Sequence, residues 1–576
     1  MSSSDTYDII FKDVTWKYSG SEKAAIRNIN LRLKKGEIVV ITGPSGAGKT
    51  TLCRCINGLI PHFFRGELQG DITVAGLNLR KYDIPIMASK VGLCFDNPSH
   101  QLFCSTVVEE IAFGPENYCV PVKEIRARVQ HALEFCRLEG YEDKSPYSLS
   151  GGEQQSCAIA AISAMEPEVL VLDEPTSNLD PYGTELVIDR INNLVRSKRR
   201  TMIIVEHKLE HVLPFADRMV VMSEGEIVAE GPPTEVLREI DLISGLQLQV
   251  PHSTQLAYRL GRGAIPITQQ DGVKFLSEYL TQRELNKGLI QSRMNELKSR
   301  EKRSEFLGSQ NIAVSCQDVW YQYPDGTVAL KGASLNIYPG EFVGFIGRNG
   351  SGKTTLAKLV NGLYNPSRGK VYVYGIDTST QEVGALSKIV GYSFQNPDDQ
   401  IFSRTVREEF EFGPKNLKLP MEEIEKRVEL VAKDLEIYDF LDQNPFSLSQ
   451  GLRQRVAFGS VLTMDPKILI VDEPTTGQDY MRAKTIMEIA KRQNQKGITI
   501  IIISHNMDLI AEYCTRIFAL KEGQIFLSGT PREVFSKPDL LIQTSIKPPQ
   551  VTRIFQNLAE LPPDVLTLAE ALELLK

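Results

Sequence analysis

The chain carries one phosphate-binding loop twice, as GPSGAGKT at 43–50 and as GRNGSGKT at 347–354. The pattern G-x-x-x-x-G-K-[ST] turns the backbone so tightly that successive N–H groups point at a polyphosphate, with a helix N-terminus behind them. An apolar segment precedes each copy, EIVVIT at 37–42 and EFVGFI at 341–346, and indicates a buried strand. The sequence therefore predicts two strand–loop–helix units that bind nucleotide phosphates.

The later motifs recur in the same order, which indicates an internal duplication. Equivalent residues are separated by 304, 299 and 298 positions, for the pairs Lys49 and Lys353, Asp173 and Asp472, and His207 and His505. Each copy continues as an alternation of apolar strands and helical segments. Such alternation favours a mostly parallel sheet with helices on its faces, which is an α/β fold.

The duplication divides the chain into four predicted segments. They are a first nucleotide-binding domain over 1–245, a helical tail and charged linker over 246–308, a second nucleotide-binding domain over 309–544, and a helical tail over 545–576.

Both tails belong to the repeat. VPHSTQLAYRL at 250–260 resembles KPPQVTRIFQNL at 547–558, and GVKFLSEYL at 272–280 resembles LTLAEALELL at 566–575. The charged segment at 281–306 is predicted to be a solvated linker rather than a basic arm for RNA.

Composition sets further bounds. With 42% hydrophobic and 24% charged residues, the 576-residue chain is an ordinary globular protein. No apolar run approaches the roughly 20 residues that cross a bilayer, and ITIIIIS at 498–504 is predicted to be a buried parallel strand. The start shows no signal peptide, so a cytoplasmic location is expected. The net charge of −7 gives no reason to bind nucleic acid, and the nine scattered cysteines are expected to be reduced core thiols.

Two acidic motifs supply the carboxylates that the phosphate-binding loops lack. VLVLDEP at 169–175 and ILIVDEP at 468–474 are predicted to be buried strands that end in an Asp-Glu pair. The aspartate can hold Mg²⁺ through water, and the glutamate can polarise an attacking water as a general base. LSGGEQ at 149–154 begins a helix with glycines, and it forms an anion site that has no substrate within its own copy.

The ordered set resembles the ATP-binding-cassette ATPase family over nearly the whole chain. The resemblance implies tandem P-loop cassettes, each with a helical subdomain, that bind ATP and Mg²⁺ in a head-to-tail sandwich. One copy's loop and acids then face the other copy's LSGGEQ-type signature, and a tyrosine before each loop stacks on adenine.

Site residues follow from the motifs and the resemblance together. The predicted catalytic residues are Glu174, Glu473, His207 and His505. The predicted metal-binding residues are Thr50, Asp173, Thr354, Gln395 and Asp472. The predicted ATP-binding residues are Tyr18, Gly43, Pro44, Ser45, Gly46, Ala47, Gly48, Lys49, Thr50, Thr51, Ser150, Gly151, Gly152, Tyr323, Gly347, Arg348, Asn349, Gly350, Ser351, Gly352, Lys353, Thr354, Thr355, Ser449 and Gly451.

A second resemblance concerns the middle of each copy. NPSHQLFCSTVVEEIAFGPEN at 97–117 and NPDDQIFSRTVREEFEFGPKN at 396–416 share a frame. The frame resembles the segment of energy-coupling-factor transporter ATPases that receives coupling helices of a membrane subunit. It implies an importer ATPase for vitamins, their precursors or transition-metal ions, peripheral on the cytoplasmic side of the membrane. Its partners would be a transmembrane coupling protein and a substrate-binding membrane protein, docked at exposed apolar positions such as Leu102 and Ile401. Internal packing is the alternative interpretation of the frame.

Three other classes of ATPase remain as alternatives. A soluble two-cassette ATPase of translation would carry a longer, strongly basic linker. A DNA-repair ATPase would insert long coiled coils or zinc modules between loop and signature, whereas only 101 positions separate Lys49 from Ser150. A fused sugar-importer ATPase is the nearest alternative within transport.

Two departures from the family pattern predict unequal ATP sites. The second signature reads LSQGLRQ, so that Gln450 stands where the first copy has Gly151. The first copy has Asp96 where the second has Gln395. Both departures fall on the site that contains the first loop, and we expect the site of the second loop to carry most turnover.

Overall fold

The computed structural model describes residues 7–149, 151–176, 179, 181–198, 200–246, 248–261, 263–283, 287–302, 311–474 and 480–576. The chain forms two compact units, Met1–Phe275 and Leu276–Lys576. Both are α/β, which confirms the predicted fold class of two tandem cassettes with helical parts. The boundaries of the four predicted segments stay a prediction.

The strands are numbered in chain order. Those of the first unit are β1 Tyr7–Tyr18, β2 Ile26–Lys34, β3 Ile38–Thr42, β4 Gly66–Val74, β5 Leu77–Asn78, β6 Val91–Cys94, β7 Val169–Asp173, β8 Thr201–Val205, β9 Arg218–Ser223 and β10 Glu226–Gly231. Those of the second unit are β11 Val314–Gln322, β12 Val328–Ile337, β13 Phe342–Gly347, β14 Arg368–Val373, β15 Ile376–Asp377, β16 Val390–Ser393, β17 Ile468–Asp472, β18 Thr499–Ile503, β19 Arg516–Lys521 and β20 Gln524–Gly529.

The helices follow the same numbering. They are α1 Lys49–Ile56, α2 Leu59–His62, α3 Ile84–Ala88, α4 Val107–Asn117, α5 Val122–Cys136, α6 Gly151–Ala164, α7 Pro181–Lys198, α8 Leu209–Val212, α9 Pro233–Val236, α10 Ile240–Gly245, α11 His252–Arg259 and α12 Gln269–Arg283, which crosses the boundary between the units. The second unit continues with α13 Lys287–Lys302, α14 Lys353–Val360, α15 Val383–Leu386, α16 Val406–Asn416, α17 Met421–Asp434, α18 Gln450–Leu462, α19 Tyr480–Gln495, α20 Met507–Tyr513, α21 Pro531–Phe535, α22 Pro538–Ile542, α23 Gln550–Gln556 and α24 Leu568–Leu575.

The same mixed sheet lies in both units. In the first, the described strands are ordered β10-β9-β3-β8-β7-β6, and in the second β20-β19-β13-β18-β17-β16. All neighbours pair in parallel except the antiparallel edge pairs β9–β10 and β19–β20. The loop leaves the central strand and the acids leave a strand two positions away, so both reach one edge of the sheet. The predicted strand at 498–504 is confirmed, because every residue of β18 is buried between two parallel neighbours.

An antiparallel sheet completes each cassette core. Its order is β2-β1-β4-β5 in the first unit and β12-β11-β14-β15 in the second. The helix after each phosphate loop shares a buried apolar cluster with residues of both sheets. Cys53 and Cys55 lie fully buried on this helix in the first unit. The loop is therefore held between a rigid strand and a helix buried in the core.

A helical subdomain packs beside each mixed sheet. In the first unit α4, α5 and α6 contribute to one cluster of buried apolar residues, and α16, α17 and α18 do so in the second. Among the described helices, none is both long and apolar enough to span a membrane.

The tails and the linker are more ordered than the sequence predicted. Thr254 and Thr552 each donate a hydrogen bond of 2.6 Å to a backbone carbonyl 12 or 13 positions later, so the tails repeat in structure as well as in sequence. Helix α13, inside the charged segment at 281–306, packs against α24. It buries Ile290 and Met294, which lie one turn apart on one face. The prediction of a solvated linker is wrong for this helix, because a two-residue apolar face is hidden in a strongly charged segment.

Candidate nucleotide-binding sites

Backbone geometry at both loops admits only glycine at key positions. Gly48 has φ 96° and Gly352 has φ 99°, where side chains are strained. A Cβ atom on Gly48 would lie 2.5 Å from the carbonyl oxygen of Ala25, and one on Gly352 would lie 2.7 Å from that of Ala329. The loop therefore closes against the antiparallel sheet in both units.

The loop lysines are buried inside their own loops. Lys49 Nζ donates to the carbonyl oxygens of Gly43 and Pro44 at 2.8 and 3.0 Å. Lys353 Nζ makes the equivalent bonds at 2.9 and 3.0 Å. Both ammonium groups are thus held within the loops, and phosphate oxygens bound there would form charge-assisted hydrogen bonds with them.

The predicted bases and histidines come together in each unit. His207 Nε2 lies 3.1 Å from Glu174 Oε1, and His505 Nε2 lies 3.2 Å from Glu473 Oε1. Burial alone would raise the pKa of Glu174, but the hydrogen bond and charge of His207 lower it below the ordinary value. Glu174 is therefore held as a carboxylate, which is the form that accepts a proton from water.

Both glutamates also have an unusual backbone. Glu174 has φ 49° and Glu473 has φ 46°, in the left-handed region that non-glycine residues rarely adopt. Strain of this kind persists only where surrounding structure enforces it, and it clusters at functional sites. The turn after β7 and β17 thus fixes the direction of the carboxylate.

The aspartates fit a magnesium site. Asp173 Oδ1 is buried and has no hydrogen-bond partner within the described residues. Burial and the charge of Glu174 raise the pKa of Asp173 to about 7, a cost that a bound cation would relieve. In the second unit, the hydroxyl of Thr354 donates to Asp472 Oδ1 at 3.3 Å. Mg²⁺ takes oxygen ligands and is usually bound through one or two carboxylates and phosphates, which matches this donor set.

The second aspartate has a partner that sequence reasoning missed. The hydroxyl of Tyr392 donates to Asp472 Oδ2 at 2.6 Å. Burial, then the charge of Asp472, raise the pKa of Tyr392, so its hydroxyl remains a donor. A comparison of the two copies could have pointed to this bond. The apolar Leu93 of the first copy is replaced in the second by Tyr392, which has a hydroxyl.

The predicted adenine-stacking tyrosines stand beside the loop helices. Tyr18 Oη lies 3.3 Å from Thr51 Oγ1, and Tyr323 Oη lies 2.8 Å from Thr355 Oγ1. Each ring also meets another aromatic ring edge to face at a centroid distance of 6.0 Å, Phe64 for Tyr18 and Tyr364 for Tyr323. The structure therefore brings the two tyrosines to the loops, while their stacking on adenine stays a prediction.

The signature residues lie at helix starts. Gly151 and Gly152 open α6, and Ser449 and Gly451 stand at the start of α18. Ser150 lies outside the described residues, and so does the side chain of Gln450. Their role in facing a phosphate stays a prediction.

Two further predicted residues lie near the loops. In the second loop, Asn349 Oδ1 accepts a hydrogen bond from His505 Nε2 at 2.8 Å, which links the loop to the histidine beside Glu473. Gln395 is exposed in the turn after β16, as is Asp96 in the turn after β6. The remaining loop residues occupy the turn between strand and helix in both units.

The shared frame presents different apolar residues from those predicted. Leu102 and Ile401 are only 2% and 3% exposed, so the prediction that they are exposed is wrong. They belong to the apolar clusters of the helical subdomains. The next residues, Phe103 and Phe402, turn outward and are 58% and 60% exposed.

Each exposed phenylalanine is paired with another. Phe103 meets Phe113 edge to face at 4.7 Å, and Phe402 meets Phe412 at the same distance. These two aromatic pairs are exposed at equivalent places in the two units, on the frame that sequence analysis singled out.

The chain is similar in sequence to ATP-binding proteins of ABC transporters. A family model described as ABC transporter matches residues 26–177 and 330–476. A provisionally named ABC transporter ATP-binding protein of Caldanaerobacter subterraneus subsp. tengcongensis is 42% identical over 96% of this chain and 96% of its own length. One of the same name from Methanosarcina acetivorans is 40% identical over 98% of this chain and 93% of its own. A solved structure of cbiO1 from Clostridium perfringens, described as part of the ABC transporter complex cbiONQ, is 39% identical over 42% of this chain and 98% of its own, with a TM-score of 0.38.

Proposed function

Because the chain belongs to the ABC transporter family, with two ATP-binding domains, we propose that it is the ATP-hydrolysing subunit of a membrane importer of the energy-coupling-factor type. The solute would be a vitamin, a vitamin precursor or a transition-metal ion. The chain would lie at the cytoplasmic side of the membrane, bound to a transmembrane coupling protein that works with a substrate-binding membrane protein.

The aromatic pairs are the observation that carries this proposal. Water-exposed phenylalanine side chains gain little for the isolated chain, yet both copies place such a pair on the same frame. Exposed apolar groups of this kind mark interaction sites, and a helix docked in an apolar groove depends on a few such anchors. A coupling helix of a membrane subunit would bury one pair in each cassette.

Hydrolysis would follow from the residues already described. Loop amides and Lys353 would hold the phosphates, and Thr354 and Asp472 would hold Mg²⁺, whose charge would offset that of the phosphates when it is bound. Glu473 accepts the proton of the attacking water, and His505 beside it stabilises the carboxylate and its orientation. The first unit offers the equivalent set with Lys49, Thr50, Asp173, Glu174 and His207.

Closure would require both copies. The LSGGEQ-type helix start has no substrate in its own copy, so each signature would complete the ATP site on the other copy's loop. Because both copies share one chain, the encounter is intramolecular, with an effective concentration that reaches about millimolar for flexible links. ATP binding would close the pair, and hydrolysis would reopen it.

The test is a pull-down of the tagged chain from membranes in mild detergent, with identification of its partners by mass spectrometry. We expect small hydrophobic membrane proteins among the partners. One of them, the transmembrane coupling protein, should be present in every preparation. A sugar-type permease would favour the fused sugar-importer alternative. Ribosomal proteins without membrane proteins would contradict the proposal and favour a role in translation.

A further inference from the structure

One position in the strand next to the acidic motif, half-buried in the first copy and buried in the second, differs between the two copies. VGLCFDNP at 91–98 aligns with VGYSFQNP at 390–397, so Leu93 stands where the second copy has Tyr392. In the sheet, Tyr392 pairs with Ile470. Asp472 follows two residues later, and side chains two positions apart share one face of a strand. A tyrosine reaches such a diagonal neighbour, whereas a leucine offers it no donor.

In the second copy the two oxygens of the aspartate are engaged separately. Tyr392 donates to Oδ2 at 2.6 Å, and the loop residue Thr354 donates to Oδ1 at 3.3 Å. Tyr392 is itself fixed, since its ring is buried and contacts Phe394 at 5.0 Å. Asp472 Oδ2 is thus hydrogen-bonded to a residue of the sheet, while Oδ1 faces Thr354, which is predicted to bind the metal.

The first copy has no tyrosine at this position to donate a hydrogen bond to its aspartate. Asp173 is buried to a similar degree, but its Oδ1 has no hydrogen-bond partner within the described ranges. Leu93 pairs with Val171 in the equivalent register, so the same position carries an aliphatic side chain instead of a ring with a hydroxyl. The two aspartates therefore differ in how firmly their carboxylates are oriented.

We propose that Tyr392 is a positioning residue that orients Asp472 for Mg²⁺ binding with ATP at the second loop, and that Leu93 leaves Asp173 without this support. The inference rests on the proposed function as an ATPase. A partner that orients a metal-binding carboxylate typically changes metal affinity roughly 10- to 100-fold. The site of the second loop would then bind its metal ion more tightly than the site of the first loop.

The experiment measures metal affinity directly. Mn²⁺ is titrated into the full-length chain with a non-hydrolysable ATP analogue, and bound Mn²⁺ is followed by electron paramagnetic resonance. In a Lys49→Ala background only the second loop holds nucleotide. There Tyr392→Phe should raise the Kd for Mn²⁺ roughly 10-fold or more. The metal-free affinity for the analogue and the unfolding temperature without metal should not change.

The matched control is the reciprocal change. In a Lys353→Ala background, Leu93→Tyr should lower the Kd for Mn²⁺ at the first loop. An unchanged Kd in either variant overturns the inference. The inference is also overturned if Tyr392→Phe weakens Mn²⁺ binding and metal-free binding of the analogue equally, because that result indicates a general structural effect. If the unmodified chain binds no Mn²⁺ with the analogue, the proposed function itself fails.

Discussion

Nε2 of His207 lies 3.1 Å from Oε1 of Glu174, and His505 and Glu473 repeat the contact at 3.2 Å in the second unit. Each glutamate is therefore kept beside a histidine at the end of the strand that also carries the aspartate predicted to bind metal. The glutamate–histidine contact recurs in both units, but in the second unit His505 Nε2 also lies 2.8 Å from Asn349 Oδ1 of the loop. We therefore expect any difference in turnover to come from the residues around each pair.

The first prediction concerns these glutamates. Glu473→Gln should nearly stop steady-state ATP hydrolysis, since loss of one well-placed transition-state interaction typically costs roughly 10²–10³-fold in rate. Glu174→Gln should leave a measurable fraction, because the first copy has Asp96 in place of Gln395 and Leu93 in place of Tyr392. In the proposed head-to-tail sandwich its loop would also face the signature that contains Gln450. Equal losses from the two changes would reject unequal sites, and a larger loss from Glu174→Gln would reverse the assignment.

The second prediction concerns the aromatic pairs. Phe103→Ser with Phe402→Ser should sharply reduce co-purification of membrane partners, because each change removes an anchor worth about 2 kcal/mol or more in such interfaces. ATP binding should persist, since neither residue belongs to a loop. Ile542→Ser, which alters an apolar residue that is 67% exposed elsewhere, is the control and should retain the partners. Full co-purification of the double variant would indicate that the pairs serve no partner.

The third prediction concerns the linker helix. Met294 is fully buried on α13, which packs on α24, and Arg293 Nη1 donates to the carbonyl oxygen of Leu574 at 3.0 Å. Met294→Ala should lower the stability of this contact by about 2–5 kcal/mol, as for other buried methionines. Proteolysis near the C-terminus should then be faster. Asn295→Ala, at an exposed position on the same helix, should have no such effect, and equal protease sensitivity of both variants would contradict the docked helix.

The fourth prediction concerns thiol reactivity. Cys119 is exposed, whereas burial and the nearby Glu110 raise the pKa of Cys104 to about 11. Because the thiolate is the reactive form, iodoacetamide near neutral pH should label Cys119 first. Labelling of Cys104 should accelerate about tenfold for each unit of pH up to its pKa. Mass spectrometry after timed labelling measures both rates, and Glu110→Gln should speed the labelling of Cys104 but not that of Cys119. Rapid labelling of Cys104 at neutral pH would contradict the raised pKa.

The motifs predicted the fold class, and the structure brings the glutamate and the histidine that they single out together in each unit. A pattern such as G-x-x-x-x-G-K-T encodes backbone conformation directly, which is why the positive φ of Gly48 and the burial of Lys49 follow from it. The strand at 498–504 was equally predictable, because a run of β-branched apolar residues suits only a fully buried parallel strand.

Other features depend on packing that one segment does not reveal. Leu102 and Phe103 are adjacent apolar residues, and only the turn that precedes α4 decides that the leucine is buried and the phenylalanine exposed. Ile290 and Met294 are too few to mark an apolar face among charged neighbours, and their partner α24 lies at the far end of the chain. The bond from Tyr392 to Asp472 joins strands about 80 residues apart, as the sequence positions show.

ATP turnover by the chain captured with its membrane partners tests the central claim most directly. Magnesium-dependent hydrolysis should be slow for the chain alone and faster in the captured complex. It should be abolished in Lys49→Ala with Lys353→Ala, which removes the ammonium group from both loops. Turnover of the double variant at the unmodified rate, or the same rate with and without the membrane proteins, would contradict an ATPase that energises import.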